Sequence, residues 1–207
     1  MATDVETARE DLAYMRSLVG GTAAMQSTVG EAFMWAGGLY GGQCILHWLQ
    51  TLNLVPSEGP IALAIVAAPT VLFCIALGFI IYKDRNKPTG GPSARALGAV
   101  FQGAGLANLV MACVFAYGAN KAEDFGLWLY HPIVVCMFQG VAWYVAWAIL
   151  RRTWLSFVAF GWFAATVALG VAVFADIGLY LLVLGVALFV CMALPGWLIW
   201  RSAHKQA

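Results

Sequence analysis

Six apolar runs, each about 20 residues long and separated by short polar links, constrain this chain more than any other feature of its sequence. They cover residues 31–52, 60–82, 95–117, 127–150, 154–174 and 177–200. A helix rises about 1.5 Å per residue, so roughly 20 apolar residues cross the hydrocarbon of a bilayer. None of the runs alternates apolar and polar residues, as the strands of a membrane barrel must. A helix also satisfies its own backbone N–H and C=O groups, which lipid demands. The chain is therefore read as an all-α polytopic membrane protein, a bundle of six transmembrane helices. Of its 207 residues, 62% are hydrophobic and only 10% charged, against about a quarter charged in a soluble domain.

The few charges are informative by position. With the N terminus inside, the cytoplasmic side receives Arg9, Arg16, Lys83, Arg85, Lys87, Arg95, Arg151, Arg152, Arg201 and Lys205. The outer side receives Lys121 together with Glu58, Glu123, Asp124 and Asp176. Lys and Arg in short loops set orientation through the positive-inside rule. The expectation is a multi-pass protein of a bacterial inner membrane with both termini cytoplasmic. Residues 1–19 carry charges throughout and lack the apolar core of a signal peptide, so the first span is expected to remain uncleaved. No basic stripe suits nucleic acid.

Ahead of the first span, Val5, Ala8, Leu12, Met15 and Val19 recur at alternating spacings of three and four. That is an apolar seam over two heptads. Thr3 and Glu6 form a capping box, and Gly20-Gly21 reads as a helix stop. Residues 1–27 are thus expected to be a short cytoplasmic amphipathic helix, over residues 4–19, plus a linker. Residues 28–207 form the six-span domain. This helix lies on the membrane surface, packs on the bundle, or docks a cytoplasmic protein partner. Besides lipid, a second copy of the chain is an expected partner, since small oligomeric proteins associate symmetrically.

Within the spans, small residues mark close helix packing: Gly37, Gly38, Gly41 and Gly42 in the first and Gly103 and Gly105 in the third. Pro69 and Pro195 should interrupt the second and sixth helices. Five cysteines lie in apolar segments without a CxxC pair, so neither a disulfide framework nor a zinc ribbon is expected.

The spans contain no Lys and no internal Asp or Glu, which argues against a proton relay. Amides and imidazoles remain. Gln43, His47 and Gln50 share one face of the first helix at i, i+4 and i+7. Asn108 and Gln102 lie on the third helix, His131 and Gln139 on the fourth. Three readings compete. In the first, these groups bond across helices as packing glue. In the second, Gln43, His47, Gln50, Asn108, His131 and Gln139 line an outward-opening cavity for a small neutral or weakly charged solute, as in a transporter or channel. In the third, His47 and His131 ligate a haem. An accessory or anchoring role through the N-terminal helix is the main alternative to transport. No nucleophile–base pair or metal set assembles on one side of the membrane, so the chain is not expected to be an enzyme.

Overall fold

The computed structural model describes residues 2–86 and 91–204, with side chains described from residue 27 onward. Its helices are α1 (Ala2–Thr51), α2 (Gly59–Asp84), α3 (Pro92–Ala122), α4 (Tyr130–Leu150), α5 (Thr153–Ala172), α6 (Ile177–Leu188) and α7 (Leu194–His204). A 3₁₀ turn, Phe125–Leu129, leads into α4, and a π turn, Phe189–Ala193, joins α6 to α7. The chain is an all-α polytopic membrane protein. Among the described residues, five helices are long and apolar enough to cross a membrane: α2, α3, α4 with its preceding turn, α5, and the α6–α7 rod. The second half of α1 packs among them.

Successive helices run antiparallel, so the described ends of the chain share one face of the bundle. Contacts tie down both faces. On the terminal face Thr28 donates to Asp84 and Lys83 pairs with Glu31, clamping the end of α2 to α1. On the opposite face the Tyr180 hydroxyl donates to Leu129 O at 2.6 Å. Two carboxylates that read as outer-loop charges are helix caps there. Asp176 Oδ2 accepts from Leu179 N at 2.6 Å, and Asp124 Oδ1 from Gly126 N at 2.7 Å. Each supplies an acceptor to a helix N terminus that would otherwise leave donors unpaired.

One expectation fails at the N terminus. There is no stop at Gly20-Gly21 and no linker, because α1 is a single helix of 50 residues. A glycine inside a helix costs only about 1 kcal/mol relative to alanine. Without a proline or a left-handed residue, two such penalties do not end a cooperative helix. The side chains of the expected amphipathic seam, residues 4–19, lie outside those described. At 1.5 Å per residue α1 is about 75 Å long, well over twice the hydrocarbon thickness.

The core is built by four of the crossing segments. Phe33 and Cys44 of α1, Cys136 and Trp143 of α4, Leu155, Trp162 and Leu169 of α5, and Tyr180, Leu188 and Cys191 of the α6–α7 rod form one buried cluster. Apolar side chains gain little by leaving lipid for one another, so close backbone approach and dispersion hold such helices together. Glycine permits that approach. A Cβ on Gly37 would fall 2.4 Å from Ala193 N, and one on Gly196 would fall 2.5 Å from Met34 N. A Cβ on Gly30 would fall 2.8 Å from Gly196 O. Gly37 and Gly41 therefore act as expected, whereas Gly38, Gly42, Gly103 and Gly105 face open space.

The helices α2 and α3 are peripheral. Among the described residues α2 packs mainly on α1, and its buried residues are Ile65, Pro69 and Ile80. It continues as one helix through Pro69. Pro195 behaves as expected of an interrupting residue. Just before it the register widens, and Leu194 N bonds to Phe189 O in the i→i−5 pattern of a π turn.

Candidate functional site

The six polar residues singled out by sequence do not form one site. Three hold the α1–α2 pair together near the face away from the termini. Gln43 Nε2 donates to Val66 O at 3.3 Å, across to α2. His47 Nδ1 lies 2.7 Å from Gln50 Oε1. An amide oxygen only accepts, so the imidazole proton sits on Nδ1. Gln50 Nε2 in turn donates to Pro56 O at 2.7 Å, tying the end of α1 to the loop beyond it. The amide and imidazole groups thus form a short chain that ends on backbone carbonyls.

A second group joins α3 to α4. His131 Nε2 lies 3.3 Å from the main-chain oxygen of Asn108, so it carries the proton and donates. The His131 ring stacks on Trp128 with centroids 5.1 Å apart and 25° between planes, and Phe115 closes a second side at 6.0 Å. His47 is engaged within α1 and His131 across the α3–α4 pair, and no contact among the described residues joins the two rings. Among the described residues no group of three or more His, Cys, Asp or Glu is placed to hold a metal ion.

Gln139 sits deeper, at 7% exposure, and its Oε1 has no hydrogen-bond partner. The same holds for Asn108 Oδ1 and for the indole N–H groups of Trp143 and Trp162, which are 1% and 0% exposed. Buried polar groups without partners each cost about 1–3 kcal/mol. Gln102, by contrast, is exposed on α3.

Where five helices converge at the terminal end, the bundle leaves a cavity of about 40 Å³. Its inner wall is Phe101 of α3 and Trp143 of α4, whose rings meet edge to face with centroids 5.5 Å apart. Leu150, Trp154 and Leu155 line it from the α4–α5 turn, and Val29 and Ile199 from α1 and α7. Arg152 and Ser202 are its polar boundary. Arg152 is exposed, and Ser202 donates its hydroxyl proton to Ile199 O at 2.8 Å.

Local chemistry explains why Arg152 stands there. The α4–α5 link is two residues long. Arg151 takes the left-handed conformation, φ 55°, and its N–H closes α4 onto Trp147 O at 2.8 Å. Arg152 then turns extended as the N-cap of α5, with no side chain capping the helix. Sequence reasoning assigned this pair only to the positive-inside count and placed its candidate cavity at the other end of the bundle. An apolar wall carries no polar periodicity. The one local signal was a double arginine in a tight turn flanked by Trp147 and Trp154.

No protein-family model matches the chain. No solved structure matches it either. Over 109 residues, 49% of this chain, it is 28% identical to "Cationic amino acid transporter 4, vacuolar" of Arabidopsis thaliana. The matched part is 18% of that protein, so the chain spans less than a fifth of the relative's length.

Proposed function

We propose that this chain is a non-enzymatic carrier or channel for a small solute in a bacterial inner membrane, with both termini cytoplasmic. The observation that carries the reading is the cavity at the convergence of α1, α3, α4, α5 and α7, bounded by a charged side chain. Beyond the cavity the bundle is filled by a layer that includes Trp143, Trp162, Cys136 and Tyr180. Kinked and interrupted helices recur at transporter sites, and the π turn before Pro195 is such an interruption. The likeness to a protein named as a transporter agrees with the class of activity and covers too little of that protein to carry its substrate. The sequence pattern assigns ten of the eleven Lys and Arg residues to the side of the termini, which supports the orientation.

The test is flux in proteoliposomes with a panel of radiolabelled small anions, cations and neutral solutes. Uptake above protein-free vesicles is expected for at least one class. Leu155→Trp, which fills the cavity, should abolish that uptake while the protein still elutes as a monodisperse species. Uptake unchanged by the filled cavity, or no uptake of any class by folded protein, rejects the reading. The uninterrupted α1 favours a second role, docking of a cytoplasmic partner through residues 2–26. Deleting residues 2–19 should then remove a cellular phenotype and leave flux intact.

A further inference from the structure

The charged side chain that lines the terminal cavity is a donor. Arg152 brings a guanidinium with no acceptor capacity. It is exposed and has no ion-pair partner among the described residues. The first N–H groups of α5 begin beside it, and no side chain caps them. The Ser202 hydroxyl spends its proton on Ile199 O and leaves only lone pairs.

The charge balance points the same way. No carboxylate lines the cavity. Two acidic groups on that face, Glu31 and Asp84, are engaged by Lys83 and Thr28 on the α1–α2 side. A cation entering would meet repulsion from Arg152. An anion would meet charge-assisted hydrogen bonds from the guanidinium. The rest of the wall is aliphatic and aromatic. A volume of about 40 Å³ admits about three water-sized groups. The occupant therefore has a short apolar body and a terminal acceptor group.

We infer that the solute held in this cavity is a short-chain carboxylate, its anionic end at Arg152 and its apolar end against Phe101 and Trp143. The inference rests on the transport reading for its role and sharpens that reading to one substrate class. It also separates this chain from what the name of its plant relative says of that protein.

The experiment is equilibrium binding of radiolabelled butyrate to the full chain in nanodiscs by scintillation proximity, competed with unlabelled butyrate, butylamine or 1-butanol. Butyrate is expected to displace the label about tenfold or more better than either isostere, the scale of losing one charge-assisted hydrogen bond. Arg152→Gln should weaken binding by a similar factor, Arg152→Lys should retain most of it, and Arg151→Gln should change little. Because the Arg152 side chain caps nothing, these variants should elute and melt like the parent. Equal competition by butylamine or butanol overturns the assignment, as does an Arg152→Gln protein that binds normally. If butyrate fails to bind but proteoliposomes take up another class of solute, the carboxylate assignment falls and transport stands. If butyrate binds as described but never crosses, the assignment stands and transport falls.

Discussion

Gly37 and Gly38 are neighbours in sequence and opposite in consequence. A methyl group on Gly37 would collide with the backbone of the π turn, 2.4 Å from Ala193 N and 2.8 Å from Leu188 O. A methyl group on Gly38 would meet nothing within 4 Å. Backbone cannot move aside as a side-chain tip can, so Gly37→Ala should force α1 away from the α6–α7 rod. The expected loss is about 1–3 kcal/mol, in the range of overpacked cores, read as a lower melting temperature in detergent. Gly38→Ala should be neutral or slightly stabilising, since alanine is the better helix former. Equal melting of the two variants would show that this close contact is not a determinant of stability. Both glycines were legible as small-xxx-small members. Their different roles were not, because the pattern repeats on two adjacent faces of α1.

At the scale of elements, the bundle divides into a packed group, α1 with α4, α5 and the α6–α7 rod, and two outlying helices. The cysteines report this division. Cys44, Cys136 and Cys191 are buried, whereas Cys74 of α2 and Cys113 of α3 are exposed. Brief treatment of detergent-solubilised protein with N-ethylmaleimide should add label to Cys74 and Cys113 only, with the other three reacting after denaturation. Intact-mass and peptide spectra read the result, and early labelling of Cys136 would contradict the packing. The π turn belongs to this scale too. A proline removes one backbone donor and crowds the preceding turn, and here the rod responds by widening its register rather than by ending. Pro195 made an interruption foreseeable, but not that the widened turn would lie against Gly37.

For the whole molecule, the two faces differ in chemistry. The terminal face carries arginines, two of them over aromatic rings: Arg85 is 4.3 Å from the Tyr82 centroid and Arg201 is 5.1 Å from that of Trp197. The other face carries carboxylates that cap helices. This asymmetry predicts that a reporter active only in the cytoplasm works when fused after Ala207 and fails when inserted at Glu123. The reverse pattern would invert the orientation and place Arg152 and its cavity on the outer side.

The sequence by itself determined that the chain is helical, how many apolar segments it has, roughly where each lies, and which face gathers the positive charge. These are local properties, set by the length and apolarity of each run and by the cost of unpaired backbone in lipid. The tertiary structure decided the rest. It joined the N-terminal segment and first span into one helix, dispersed Gln43, His47, Gln50, Asn108, His131 and Gln139 among separate contacts, and opened a cavity at Arg152. In water, the apolar stripe of a helix names its buried face. In lipid, a side chain such as Leu63 on the bundle surface, 69% exposed, is as apolar as the fully buried Leu169, because the solvent is apolar as well. The pattern that would have said which faces meet is therefore absent, and only packing supplies it.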